Sequence, residues 1–152
     1  MSTKNFAILA IVLWVASAAF LGFKFITGET IKAEDGREAI VLTSAERVFI
    51  LDEMRNMLEA VQEIISAVNE DDMDAVRKIA HDAGMAEARK VPVATMLKLP
   101  LGFKQLGGAT HKGFDEIGLA ADMGGELVME RLEENLGNCV GCHKIFQLVA
   151  KD

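Results

Sequence analysis

The stretch TSAERVFILDEMRNMLEAVQEIISAVN (Thr43–Asn69) sets the fold class. Its apolar residues recur at Val48, Leu51, Met54, Met57/Leu58, Val61, Ile64/Ile65 and Val68, the spacing of one helix face. Thr43 with Glu46 three residues on fits a capping box, in which each side chain satisfies a backbone N–H that the helix leaves unpaired. The spacing predicts a long amphipathic helix ending near Asn69.

The pattern repeats downstream. Asp71 or Asp72 can cap a second helix with Met73, Val76, Ile79/Ala80 and Ala83 on one face, running to about Lys90. Pro92 and Pro100 bracket a connection. A third helix follows Pro100, aligns Phe103, Leu106, Thr110, Phe114, Ile117 and Ala121, and stops at Gly124-Gly125. Gly107-Gly108 inside it cost roughly 1 kcal/mol each relative to alanine, which points to a close approach or a kink there. The fourth helix runs from about Glu126 to Val149, with Val128, Leu132, Leu136, Cys139, His143, Phe146 and Ala150 on one stripe. Tyrosine is absent, and strict two-residue alternation is hard to find. Four amphipathic helices with short links have one economical solution, an all-α, antiparallel up-down four-helix bundle over residues 42–152.

Upstream, Phe6–Ile26 reads FAILAIVLWVASAAFLGFKFI, apolar apart from Ser17, Gly22 and Lys24. As a helix it spans about 31 Å, enough to cross a bilayer. Lys4 before the run and Ala16-Ser17-Ala18 inside it also fit a secretory signal with a cleavage site, but the run exceeds the usual signal core of about 7–15 residues. The reading favoured is an uncleaved transmembrane signal anchor over residues 5–27. Residues 28–41, polar, charged and containing two glycines, read as a linker. The net charge of −7 argues against a nucleic-acid partner, since phosphate contacts need clustered Lys and Arg.

Both cysteines fall in one motif, Cys139-Val140-Gly141-Cys142-His143. A dithiol redox pair is expected beside a βαβ pattern, which is missing. A structural zinc site needs four ligands, and no second CxxC or HxxxH completes one. The third reading is covalent haem c: two thiols add to the two vinyl groups, and the adjacent imidazole becomes the proximal iron ligand. Such attachment takes place outside the cytoplasm. It therefore orients the chain, with the N-terminus inside and the haem domain on the outer, periplasmic side of the inner membrane.

A haem attached to the last helix of a four-helix bundle resembles the class II c-type cytochromes, the cytochrome c-prime group and its low-spin members. The resemblance covers roughly Leu42 to Val149. It rests on Glu53-Met54, on Leu99-Pro100, Phe103, His111 and Phe114-Asp115, and on the CxxCH motif. It implies Met54 as the distal iron ligand opposite His143, and the helix spacing puts Met54 on one stripe with Leu51, Leu58 and Val61. Met57, one turn on, and His111 are the alternatives. His81 lies beside the apolar stripe of its helix and reads as solvated, while His111 reads as a satisfied boundary histidine. Two positions depart from the c-prime pattern: Gln147 stands where that group carries an arginine, and Phe146 where it carries a tyrosine.

The resemblance implies a membrane-anchored monohaem cytochrome that passes single electrons between redox partners, alone or as a subunit of a larger membrane complex. A His/Met iron has no open site, and its potential is raised by the thioether. The alternative is a c-prime-like binder of nitric oxide or carbon monoxide, which requires that Met54 leave the iron free. Family members often pair through their first two helices, which makes a homodimer an expectation too. No constellation of catalytic groups points to an enzyme.

Overall fold

The computed structural model describes residues 3–151, so residue 152, the last of the expected domain, lies outside the described residues. In chain order the elements are α1 (Thr3–Thr27), β1 (Thr30–Lys32), β2 (Glu38–Leu42), α2 (Ser44–Asn69), α3 (Met73–Asp82), α4 (Met85–Ala88), α5 (Val93–Lys98), α6 (Leu101–Ala120), a 3-10 turn (Ala121–Met123), α7 (Gly125–Ile145) and β3 (Phe146–Ala150). The protein is mostly helical, as expected, but it is not all-α: β1, β2 and β3 form a three-stranded sheet.

The 25-residue α1 is about 37 Å long, buries none of its residues, and is long and apolar enough to cross a membrane. Residues 28–41, expected as a linker, instead hold a hairpin. β1 pairs antiparallel with β2, and β2 pairs in parallel with β3, Glu38 opposite Phe146 and Leu42 opposite Ala150. Ala39, Ile40 and Leu42 are buried. A strand packed on both faces needs a continuous apolar run, not alternation, and Ala39-Ile40-Val41-Leu42 is such a run.

The fourth helix is correspondingly shorter than expected, ending at Ile145 instead of Val149, because Phe146–Ala150 extends alongside β2. The second helix is also shorter. α3 stops at Asp82, and the chain breaks at Gly84, which packs against the Asp115 side chain. Asp115 accepts the Met85 N–H at 3.1 Å and so starts α4. The first helix begins as its residues dictate, with Thr43 and Glu46 forming the reciprocal capping box. Asp72 is the residue that caps α3.

Two apolar clusters hold the domain. One draws Ile64 from α2, Val76 from α3, Phe114 and Ile117 from α6, and Val128 and Leu132 from α7. The other draws Ile40 and Leu42 from β2, Ile50 from α2, Leu99 and Phe103 beside and within the start of α6, and Phe146 from β3. Each such side chain contributes about 1.5–3 kcal/mol on burial. The Phe103 and Phe146 rings meet edge to face, 5.7 Å apart. That contact fixes the end of α7 against the start of α6.

Candidate functional site

Between these clusters lies a cavity of about 470 Å³, bounded by α2, α6, α7 and the segment from α4 to α5. Its size falls in the range of small-molecule and cofactor sites, about 300–1,000 Å³. The residues singled out in the sequence meet there. Cys139, Cys142 and His143 of α7, Met54 and Met57 of α2, and His111 of α6 all line it.

On α7 the two cysteines lie three residues apart, less than one turn, so both thiols face the same wall. They are free and half-buried. Burial raises both above the usual thiol range, Cys142 to about 11 with the neighbouring Cys139 adding to the shift. A redox-active dithiol depends on a thiolate with a lowered pKa, so this environment is the reverse of what such a pair needs. Among the described residues no group of three or more His, Cys, Asp or Glu converges as a metal cluster.

His111 is buried at 8% exposure, deeper than the boundary position expected for it. Its Nδ1 lies 2.8 Å from the Ala83 carbonyl, which only accepts, so Nδ1 carries the proton and donates. With Nδ1 committed to that carbonyl, Nε2 is the ring nitrogen left for a ligand. Met54 and Met57 are half-buried on the cavity side of α2. Leu58, expected on the same buried stripe, is 68% exposed although it touches the cavity. His81 is exposed, as expected.

Gly107 and Gly108 were expected to mark a close approach or a kink, and no other part of the chain packs closely against them. α6 runs unbroken from Leu101 to Ala120, and a Cβ at either glycine would meet nothing within 4 Å. Both line the cavity. Their missing side chains keep that wall flat and the space beside it open.

Arg89 and Lys104 are cavity residues that the sequence reading missed. Burial lowers the Lys104 ammonium below the usual lysine range, and its hydrogen-bond partner is a backbone carbonyl, that of Phe25 at 2.6 Å. One signal for Lys104 was present: Lys104, Gly108 and His111 recur at helical spacing on the cavity face of α6. Arg89 left none, since it sits in a segment read as a helix end. The Glu53 carboxyl, also at the wall, is pushed up by burial and then by the nearby Glu87 charge.

These residues fit the expected cofactor. A haem bound here would have two thiols and an imidazole on α7, thioethers on α2, a flat side at Gly107-Gly108, apolar surroundings, and two cations in reach of the cavity for its carboxylates. The chain matches no family model, no curated protein and no solved structure.

Proposed function

We propose that this chain is a membrane-anchored monohaem c-type cytochrome of the class II kind, carrying single electrons between redox partners on the outer side of the inner membrane. The observation that carries the reading is the meeting of Cys139, Cys142 and His143 with Met54 at one apolar cavity. The packing of α2, α3, α6 and α7 around a shared core supports reading the helical part as a four-helix bundle, to which the sheet is an addition. α1 supports membrane anchoring by its length and apolarity.

When bound, haem supplies a one-electron iron couple whose potential is set by its axial ligands and surroundings. Cys139 and Cys142 would hold it covalently, His143 and Met54 would be the residues that bind its iron and leave no site for small ligands, and Arg89 and Lys104 would offset the charge of its propionates. The apolar wall excludes water and so limits reorganisation around the changing charge. Service as a subunit of a larger membrane complex, or as a pair of copies, is compatible with the same chemistry.

The test is spectroscopic. Purified from membranes of a host that matures c-type cytochromes, the oxidised protein should carry covalent haem and a red methionine-to-iron charge-transfer band. That band should vanish in Met54→Ala and persist in Met57→Ala. A high-spin wild-type spectrum, shifting with carbon monoxide on reduction, would sink electron transfer and favour the gas-binding alternative.

A further inference from the structure

The joint between α1 and the rest of the chain has no slack. Gly28 follows α1 directly, is buried, and turns the chain at φ +63°, a conformation glycine adopts without strain. It is wedged against backbone: a Cβ there would lie 2.6 Å from the Pro100 nitrogen and 2.7 Å from the Leu99 carbonyl carbon. The next residue, Glu29, donates its N–H to the Lys98 carbonyl at 2.7 Å and accepts from the Val41 N–H at 2.8 Å. Its carboxylate pairs with Lys24 of α1 at 3.2 Å.

A second tie comes from the cavity wall. Lys104 of α6 donates to the Phe25 carbonyl at 2.6 Å and stands 3.7 Å over the centre of the Phe25 ring. One lysine side chain thus separates the cavity from the last turn of α1. Packing of α1 on two elements, α5 and α6, adds to the covalent link and removes the pivot that the link alone would leave, while Glu29 ties the joint to β2.

We infer that α1 and the domain move as one body, so that the cavity is held at a fixed attitude to the membrane surface. The inference rests on the proposed haem and anchor, and it goes beyond them by fixing orientation. A carrier on a flexible tether samples all directions and serves soluble and membrane partners alike. A rigid mount presents one face, within reach of the bilayer, and gives up the others.

The experiment uses the full haem-loaded chain in stacked, oriented phosphatidylcholine bilayers and measures linear dichroism of the Soret band. The dichroic ratio should depart from one in the wild type and fall to one when roughly ten Gly/Ser residues are inserted between Thr27 and Gly28, a flexible tether by composition. A wild-type ratio of one, with the Soret band present, would overturn the inference. Absence of any Soret band would instead overturn the haem reading. The joint would then be judged by amide exchange at Glu29, whose N–H must be protected in the bilayer-inserted chain; rapid exchange there refutes the rigid mount without reference to haem.

Discussion

Arg37 donates through Nη1 to the main-chain carbonyl of His143 at 3.3 Å, although 106 positions separate them in the chain. The same guanidinium reaches the Phe146 carbonyl at 3.4 Å and Gln147 Oε1 at 3.2 Å, and its Nε is held by Asp35 at 2.8 Å. The last carbonyls of a helix lack partners within it, and a cation there also opposes the negative end of the helix dipole. Arg37→Ala should lower stability by about 1 kcal/mol, read as a fall in thermal midpoint. It should also shift the reduction midpoint of the proposed haem, because the backbone of His143 is released. Arg37→Lys should restore only part of both, since an ammonium lacks the planar fork.

Glu46 and Lys98 predict the response to acid. Burial alone would raise the Glu46 carboxyl, but the Lys98 ammonium at 2.6 Å and the Thr43 N–H and hydroxyl outweigh it and hold the group at about 2, from an ordinary 4.5. A depressed carboxyl stabilises the fold fully above its unfolded value and loses that contribution as pH falls. Urea midpoints should therefore drop between pH 4.5 and about 2. In Lys98→Met this segment of the profile should be visibly flatter, and an unchanged slope would show that the pair does not govern it.

Gly107 and Gly108 separate the needs of the helix from those of the cavity. Gly108→Ala should stabilise the cofactor-free domain by about 1 kcal/mol, because alanine loses less backbone freedom in a helix. Gly108→Leu projects a branched side chain into the cavity. It should retain the helical circular dichroism while its ratio of Soret to protein absorbance falls several-fold. Full haem content in Gly108→Leu would mean that the cofactor does not lie against this wall.

His111 is expected to support the fold and leave the iron alone. His111→Leu removes the donor that Nδ1 now provides to the half-buried Ala83 carbonyl, at a cost of about 1 kcal/mol. The methionine charge-transfer band should survive. Absence of that band already in the wild type, with a low-spin spectrum that His111→Leu converts to high spin, would transfer the distal role from Met54 to His111.

The helices were legible where local chemistry decides them. Thr43 with Glu46, Asp72, and Pro100 ahead of α6 each state a helix start in their own side chains, and the folded chain uses all three. The sheet was obscured because its strands are assigned by each other. Phe146–Ala150 continues the stripe of α7 without a break in spacing, and only the distant β2 turns it into a strand. One signal for the hairpin did exist: Asp35-Gly36 stands between Thr30–Lys32 and Glu38–Leu42, and Gly36 adopts φ +87°. Its charged neighbours made it read as a linker. The cavity followed the same division. Cys139, Cys142 and His143 announce themselves by motif, and Lys104 by its helical spacing with Gly108 and His111, whereas Arg89 reaches the cavity only through folding.

Leu42 sits opposite Ala150 in the parallel pairing, and the Lys151 N–H reaches the Leu42 carbonyl at 2.9 Å. β1 and β3, the first and last strands of the domain, flank β2 and so lie about 10 Å apart, and the polypeptide comes close to closing into a ring. Such a ring can be joined there and opened elsewhere. The exposed turn at Glu70–Asp72 is the natural place for new termini. A circular permutant cut at that turn would keep every side chain around the cavity while moving the covalent attachment point of the membrane helix to another side of the molecule.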